Sequence, residues 1–497
     1  MAKYKPIERG QGYFLTIYPE AIFDDNSMEK TIDKFIDEYV DTRPFDKHYK
    51  NDTSGQKAIA PSVKLKVILY GLSQGIESMR KIERMLLRNH PGFLFLSGGR
   101  SINYSTLCRF ITDFPDEVSV IFARLLCILE ELNLIDWRRI MIDGTKISSN
   151  ASKEFTLNKK GFEKKLKHYE NLSVKLLSRA KYVSELEDKE EISEEELNKE
   201  KELIEKQKNK YNQVMEKIKL YEDDVESEKI SPETKLNLTD SESRMLKKDD
   251  TYIQGYNVQA AFCSNDILLS IEATSEQNDM NMLSGMVEKV EATKKSNDVK
   301  HDSAYLLDKG YFNISQMNEL IKDGKDLYIA PPAHFTESWF IRGEHQVQIE
   351  EDGVYFHCKG GRNKKGRLDK TDNKYTFTVS RNFCAGCENF SSCWKNKDSN
   401  KNRKFTVSKI YVDNKELWFE YRERTESEEW KYIYNRRIGK EHNFFDLKSN
   451  NGLSRLNWRG RKKCNTISIM AGITYNLKKF NKAVIELGWD GIKVATA

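Results

Sequence analysis

The sequence predicts a mixed α/β protein in which helices surround a sheet of short strands. Short apolar runs that end in turns, a pattern typical of buried strands, recur between residues 138 and 330. Apolar residues at helical spacing mark the segments before and after that region. The chain has 497 residues, enough for two to four structural units with cores of their own.

Composition narrows the class of protein. Hydrophobic residues make up 38% of the chain and charged residues 32%. No apolar run is long enough to span a membrane and the N-terminus has no apolar signal core, so we expect a cytoplasmic protein. Eight cysteines in that compartment argue against a framework of disulfides.

Charge is unevenly distributed. The net charge is only +5, from 82 basic and 77 acidic residues. Residues 185–205 contain eleven acids and three lysines, which is typical of a solvated helix face. Residues 430–480 contain twelve bases and two acids, and a cluster of this kind favours binding of a polyanion.

The first 133 residues have helical patterns. One amphipathic helix is expected at 28–40, followed by short helices between 61 and 134. The second of these short helices ends at Pro91-Gly92 and carries Arg80; the third carries Arg109. Their order resembles a helix-turn-helix able to enter a DNA groove, although a small helical subdomain with surface arginines gives the same pattern.

Acidic residues follow two short apolar runs. Ile140–Ile142 is expected to form a buried strand that ends at Asp143, and 304–307 another that ends at Asp308. A strand end holds a side chain rigidly, so both aspartates are candidate site residues; a turn-forming aspartate is the alternative. A hairpin at 255–273, a helix at 280–290 and a strand at 327–330 complete this part.

A helix is expected from about residue 423 to the stop signal Asn451-Gly452. In such a helix Tyr434, Glu441 and Lys448, seven residues apart, share one face with Arg437. The alternative is an ordinary surface helix with an Arg437–Glu441 ion pair.

Asp143, Asp308 and Glu441 would repel one another if the fold brought them together. Divalent cations remove that repulsion, so the three carboxylates predict Mg²⁺ or Mn²⁺. Two such ions can activate a hydroxyl and stabilise the leaving oxygen of a phosphodiester.

These motifs resemble those of bacterial insertion-sequence transposases of the DDE class. The resemblance rests on Ile142-Asp143-Gly144-Thr145-Lys146, on Asp308-Lys309-Gly310-Tyr311-Phe312, and on a Tyr-x2-Arg-x3-Glu-x6-Lys signature. The signature is met by Tyr434, Arg437, Glu441 and Lys448. Stretches at 78–83 and 255–259 are also similar to the family.

The resemblance implies a ribonuclease-H-like core in which Asp143, Asp308 and Glu441 bind two catalytic metal ions. It further implies that Tyr434 and Arg437 contact phosphates at the element ends and that Lys448 holds the strand end. The expected reaction is hydrolysis at the 3′ end of the element and strand transfer into target DNA, by a dimer across two terminal inverted repeats. A nuclease with the same core and a non-catalytic DNA-binding descendant are the alternatives.

We expect four parts: a helical DNA-binding region (1–133), a ribonuclease-H-like core (134–334 with 416–485), a coiled-coil-like insertion (155–235) and a β-rich insertion (335–415). A bacterial, nucleoid-associated protein is expected.

Four cysteines fall in the β-rich insertion: Cys358, Cys384, Cys387 and Cys393. Such clustering suits a structural Zn²⁺ site, with His357 as a spare ligand, although free core thiols or a redox pair remain the alternative. A basic cluster with Arg459, Arg461 and Lys462 precedes an apolar helix at 467–477. It predicts phosphate binding, or else a solvated loop.

Overall fold

The fold comes from a computed structural model. It describes residues 18–49, 57–189, 193–226, 234–331, 341–342, 345–350, 352–358, 360–393, 402–437 and 441–496. A mixed sheet lies between the N-terminal helices and the C-terminal helices, with a two-helix arm and a β-rich region inserted in the chain. This architecture confirms the expected α/β class.

In the described residues before the sheet there are six α-helices and two short 3-10 helices, Pro19–Ile22 and Arg43–His48. The α-helices are α1 (Met28–Lys34, continued by a π-helix at Phe35–Tyr39), α2 (Pro61–Ser73), α3 (Met79–Leu87), α4 (Pro91–Ser97), α5 (Tyr104–Asp113) and α6 (Pro115–Glu131). The second short helix was expected to end at Pro91-Gly92, but α3 ends at Leu87. Pro91 is the first residue of α4, where a missing N–H costs nothing because the first turn has no acceptor for it.

The charged insertion forms the arm. It consists of α7 (Lys159–Asp188) and α8 (Glu194–Glu226). Ser193 Oγ accepts the Glu196 backbone N–H at 3.4 Å and donates to the Glu196 carboxylate at 2.8 Å, so Ser193 caps α8. At the base of the arm Phe162 stacks on Tyr221 with ring centres 4.1 Å apart. Short strands flank the arm: β2 (Thr156–Leu157) and β3 (Leu236–Asn237).

The main sheet has six strands. They are β1 (Arg139–Ser148), β4 (Arg244–Lys248), β5 (Thr251–Cys263), β6 (Leu268–Thr274), β7 (Ala304–Leu307) and β8 (Asp326–Ile329). Their order is β4-β5-β1-β7-β8, and β6 also pairs with β5. Strand β1 is antiparallel to β5 and parallel to β7, which is parallel to β8. This topology is consistent with a ribonuclease-H-like core. Two helices connect its strands: α9 (Leu283–Ser296) and α10 (Ile314–Lys322).

Strand β1 is longer than expected, because it does not end at Asp143. Pairing with β7 stops at Ile142 opposite Leu307, but pairing with β5 continues to Ser148 opposite Gly255. Asp143 therefore lies inside a strand, at the point where β7 no longer pairs with β1 and only β5 does.

The β-rich insertion contains two small antiparallel sheets. Their strands are β9 (Ile341–Arg342), β10 (His345–Glu350), β11 (Gly353–His357) and β12 (Asn363–Lys365), then β13 (Arg367–Asp369), β14 (Lys374–Val379) and β15 (Arg403–Ser408). Two single-turn helices lie between β14 and β15: α11 (Arg381–Cys384) and α12 (Phe390–Cys393).

The predicted single helix from 423 to 451 was wrong. The C-terminal helices are α13 (Lys409–Asp413), α14 (Lys415–Glu426), α15 (Glu428–Asn435), α16 (Glu441–Asn450) and α17 (Arg461–Ala495). Ser427 is extended and its hydroxyl accepts the Trp430 N–H, which ends α14 and caps α15. Tyr434 and Glu441 thus belong to different helices. The predicted stop is confirmed, with Gly452 at φ +69° just beyond α16.

The largest hydrophobic cluster of the described residues joins the N-terminal helices to the sheet and α17. Its buried residues come from the N-terminal helices, the main sheet and α17 without interruption. Helix α17 packs against α6 and β6, and the Asn476 side chain bonds both the N–H (3.0 Å) and the carbonyl (2.8 Å) of Leu268. None of the described helices combines the length and hydropathy needed to cross a membrane.

We predict that Gly255→Ala destabilises the protein by about 2 kcal/mol or more, because β5 and β1 approach closely there. A Cβ at Gly255 would lie 2.0 Å from the carbonyl oxygen of Ile147. The matched control is Gly285→Ala in α9, where no atom lies within 4 Å of the added Cβ. This control should gain about 0.5–1 kcal/mol from helix propensity. Denaturant unfolding measures both; equal stability of the two variants would contradict the prediction.

Candidate active site

Asp143 and Asp308 lie next to each other where the pairing of β1 with β7 ends. They directly follow Ile142 and Leu307, which are partners in the parallel register of β1 and β7. Backbone N–H groups orient both carboxylates. Asp143 Oδ1 accepts from Gly144 at 2.8 Å, and Asp308 Oδ1 accepts from Gly310 at 2.7 Å.

The surroundings of Asp143 disfavour the ionised form of its carboxyl group. Burial, followed by the negative charges of Asp308 and Asp279, raises the pKa of the Asp143 carboxyl from 3.8 to about 6. The Gly144 N–H and the Arg437 guanidinium act in the opposite direction and lower this pKa. The two aspartates are therefore close enough to repel each other.

Asp279, which the sequence analysis did not single out, is a third acidic residue of this cluster. It lies in the loop between β6 and α9. Its Oδ1 accepts from Asn257 Nδ2 at 2.8 Å and from Gln259 Nε2 at 2.6 Å, and both amides are buried on β5. Gln259 also accepts a hydrogen bond from the Tyr311 hydroxyl. The sequence signal for Asp279 was weak because no strand end directly precedes it. Its place depends on hydrogen bonds from two side chains of β5.

Tyr434, in the last turn of α15, and Arg437, in the turn that follows it, lie near this cluster. The Tyr434 ring stacks on Trp430 with ring centres 4.7 Å apart, and the Arg437 guanidinium carbon lies 5.6 Å from the Tyr434 ring centre. Burial raises the pKa of the Tyr434 hydroxyl, Arg437 lowers it, and Asp308 raises it further. Arg437 Nε is buried and has no hydrogen-bond partner among the described residues.

Helix α16 is attached to the sheet at its first turn. Asn443 Nδ2 donates to Asp266 Oδ1 at 3.1 Å, and the Tyr475 hydroxyl donates to Asn443 Oδ1 at 3.2 Å. Glu441 is the first residue of this helix. Its side chain lies outside the described part of the structure, and so does the alternative ion pair with Arg437.

Lys448, in the last turn of α16, is half-buried. Burial and the positive charge of Lys248 lower the pKa of the Lys448 ammonium, whereas Asp143 and Asp249 raise it. Lys448 is therefore within electrostatic reach of both Asp143 and the turn between β4 and β5.

The donor chemistry of the cluster fits a hard divalent cation. Carboxylate oxygens are the ligands that Mg²⁺ and Mn²⁺ prefer, and a cation would remove the repulsion at Asp143. Within the described ranges, no three His, Cys, Asp or Glu side chains are already close enough to hold a metal ion. Asp143 and Asp308 supply two of the predicted ligands, and the Glu441 side chain is outside those ranges.

The four clustered cysteines line one small cavity of about 30 Å³, together with Phe356 and Phe405. Burial, followed by Cys358 and Cys387, raises the pKa of the Cys384 thiol. The structure therefore brings the cysteines together, although not at the spacing of a formed metal site. The spare ligand His357 instead has its Nε2 3.0 Å from Glu350 Oε1.

The other predicted DNA-contacting residues lie on the surface in two places. Arg80, with its guanidinium carbon 4.0 Å from the Tyr104 ring centre, and Arg109 are exposed on α3 and α5. Arg459, Arg461 and Lys462 are exposed before and at the start of α17. Arg459 Nε donates to the Asn150 carbonyl at 2.9 Å.

We predict that Asp143→Asn raises metal-free stability at pH 7.5. The folded-state pKa of about 6 exceeds the unfolded value near 3.8, so ionisation of Asp143 costs up to about 3 kcal/mol once the pH is above 6. The gain should shrink as the pH falls from 6 and vanish below 3.8. Thermal unfolding in EDTA at several pH values measures it, and a gain that does not change with pH would contradict the assignment.

Two family models match the chain. The model described as "Transposase DDE domain" matches residues 357–481, which include Glu441 but neither Asp143 nor Asp308. The model described as "Transposase domain (DUF772)" matches residues 18–113, the N-terminal helices. No curated protein matches the chain. These two matches, with the mixed sheet and its acidic cluster, indicate that the protein is an insertion-sequence transposase of the DDE class.

Proposed function

We propose that Asp143, Asp308 and Glu441 are the catalytic carboxylates of this transposase and that they hold two Mg²⁺ or Mn²⁺ ions. The observation that carries the proposal is the adjacent position of Asp143 and Asp308, with the pKa of Asp143 raised to about 6. Bound there, the ions would activate the attacking hydroxyl and stabilise the leaving oxygen. The first turn of α16 is bonded to the β5–β6 turn through Asn443 and Asp266, and the role of Glu441 itself rests on the signature that it shares with the family.

The proposed reaction has two steps. In the first, a water oxygen attacks the phosphorus at the 3′ end of the element, and the bond to the 3′ oxygen breaks to leave a 3′ hydroxyl. In the second, that hydroxyl attacks a phosphodiester of target DNA, whose own 3′ oxygen leaves. No bond between protein and DNA is formed in either step.

Tyr434, Arg437 and Lys448 bind the DNA end in this proposal, which places the chain in the Tyr-Arg-Glu-Lys branch of the class. The buried Arg437 Nε, which lacks a partner among the described residues, suits a phosphate oxygen near the cut. Lys448 is half-buried near Asp143 and suits the end of the cleaved strand.

The partner is double-stranded DNA: the terminal inverted repeats and the target. Arg80 and Arg109 on the N-terminal helices would contact one part of the duplex, and Arg459, Arg461 and Lys462 another. We propose that the enzyme acts as a homodimer across two paired ends, in the bacterial cytoplasm at the nucleoid.

The same proposal divides the chain by role. Residues 1–133 bind DNA, 134–334 with 416–485 form the catalytic core, and 155–235 and 335–415 are insertions. The two-helix arm and the two small sheets support this division, since each forms its own local structure.

We further propose that Cys358, Cys384, Cys387 and Cys393 hold a structural Zn²⁺. Their shared cavity supports this, because deprotonated thiols at such close quarters repel one another unless a cation binds them. The zinc would fasten α11 and α12 to the end of β11.

We predict that Asp143→Asn, Asp308→Asn and Glu441→Gln each abolish cleavage of labelled element-end DNA in Mg²⁺ but leave DNA binding unchanged. Each substitution removes a metal-binding charge and little volume. Asp323→Asn, an exposed aspartate just after α10, is the matched control and should cleave normally. Retained cleavage in any of the three site variants would refute the triad assignment.

The same assay separates transposase from nuclease. With target DNA present, the unaltered protein should give joined products. Cleavage without any joined product would favour a metal-dependent nuclease with the same core.

For zinc, we predict about one ion per chain by metal analysis of the purified protein, and loss of that ion in Cys384→Ser. Cys127→Ser, outside the cluster on α6, should keep the zinc. Zinc well below half an ion per chain in the unaltered protein would contradict the site.

A further inference from the structure

A network of hydrogen-bonded side chains lies next to the candidate active site. Asp279 Oδ1 accepts from Asn257 Nδ2 at 2.8 Å and from Gln259 Nε2 at 2.6 Å. Gln259 Oε1 in turn accepts from the hydroxyl of Tyr311. The two amides and the tyrosine are at most 1% exposed, so water does not compete for these bonds. These four residues are called the Asp279 network below.

The Asp279 network packs against the backbone that follows Asp143. Gln259 is the partner of Gly144 in the antiparallel register of β5 and β1. A Cβ at Gly144 would lie 2.4 Å from Gln259 Nε2 and 2.6 Å from Asp279 Oδ1, so any side chain there would displace the network. Because successive residues of a strand point to opposite faces, the network lies on the face of β1 opposite to the Asp143 side chain. It therefore supports the strand from behind the carboxylate.

The same network contacts the turn that carries Asp308. Tyr311 ends the short 3-10 helix Lys309–Tyr311, and its backbone N–H donates to the Asp308 carbonyl at 3.2 Å. A Cβ at Gly310 would lie 2.9 Å from Asp308 Oδ1 and 3.6 Å from Asp279 Oδ2. The Asp279 carboxylate thus lies beside the Asp308 carboxylate as well as beside β1. One side chain contacts both segments that carry the candidate metal ligands.

The turn after β7 needs support from side chains. The pairings of β7 with β1 and with β8 both end at Leu307, so no strand pairing fixes the backbone at Asp308. The distance between two carboxylates that share metal ions depends on how firmly each backbone segment is fixed. Residues that orient metal ligands without binding the metal typically change metal affinity or activity about 10- to 100-fold when they are replaced.

We propose that Asp279 is a positioning residue of the catalytic site, which fixes the Asp308 turn against β1 through Gln259 and Tyr311. Asp279 acts here through its hydrogen bonds and not as a metal ligand. Loss of its acceptor oxygen would release the Gln259 amide, and with it the tyrosine and the turn. The inference rests on the proposed function, because it takes Asp143 and Asp308 to be metal ligands.

The first test is amide hydrogen exchange of the full-length protein in EDTA. Asp279→Ala and Tyr311→Phe should each speed exchange in the peptide that contains 308–312 about fivefold or more, since the turn loses a supporting hydrogen bond. The matched control is Tyr305→Phe. Tyr305 is equally buried, on β7, but its hydroxyl donates to Glu291, outside the Asp279 network. Unchanged exchange in the two network variants, or an equal increase in the control, would overturn the inference.

The second test is the Mg²⁺ concentration that gives half-maximal cleavage of the element-end duplex. It should rise about tenfold or more in Asp279→Ala and severalfold in Tyr311→Phe, and stay unchanged in Tyr305→Phe. A loss of stability alone would lower the maximal rate without changing this concentration.

The double variant Asp279→Ala/Tyr311→Phe should need no more Mg²⁺ than Asp279→Ala, because both changes break one network. Losses that multiply in the double variant would show that Asp279 acts independently of Tyr311, as a direct metal ligand would, and would overturn the inference.

Failure of this inference can be told apart from failure of the proposed function. If the unaltered protein cleaves, but the network variants keep its exchange rate and its Mg²⁺ requirement, only the inference fails. If the unaltered protein does not cleave the element-end duplex in Mg²⁺, the proposed function fails, and hydrogen exchange in EDTA then decides whether Asp279 fixes the turn.

Discussion

Parallel pairing between β1 and β7 forces Asp143 and Asp308 together in spite of their like charge. Backbone hydrogen bonds between the strands and the fully buried side chains of Ile142 and Leu307 hold this register. Burial, and after it the negative charge of Asp308, raises the pKa of Asp143 to about 6, so both oppose the ionised form of this carboxyl. The fold is thus stable enough to keep a repulsive pair in place, and that pair is what makes the edge of the sheet suitable for a divalent cation.

The groups around the two aspartates orient the carboxylates and change the local charge. Arg437 lowers the pKa of Asp143 from the side of α15, and backbone N–H groups orient each carboxylate. Asp279 adds negative charge but is held by two buried amides, so its position is fixed by β5 and not by the loop that carries it. The acidic cluster is therefore positioned chiefly by the sheet. The positive charges near it, those of Arg437 and Lys448, come from the C-terminal helical region.

Local patterns in the sequence were sufficient to predict several elements of the fold. Strand β7 was predicted at its observed bounds because a short apolar run ends at Asp308-Lys309-Gly310, and the arm was predicted from its charged helical period. The placement of Asp143 and Asp308 near each other followed from two such runs. Zinc, the role of Glu441 and the DNA contacts remain predictions.

Other features depend on contacts that no local pattern contains. The helix expected from 423 to 451 is divided because Ser427, inside a helical period, caps a new helix with its hydroxyl. Asp279 is held by the side chains of Asn257 and Gln259 on β5, which precede it by 22 and 20 residues in sequence. The length of β1 was underestimated because its second half is stabilised by β5, more than a hundred residues away in sequence.

The uninterrupted hydrophobic core has a mechanical consequence. Apolar side chains of the N-terminal helices pack against those of α17 and the sheet in one cluster of described residues, so a rotation of one group against the other would break this packing. If the first helices bind a duplex, the packing of these helices on the sheet would fix the angle between that duplex and the carboxylates. Any bending needed to seat the scissile bond would then have to occur in the DNA.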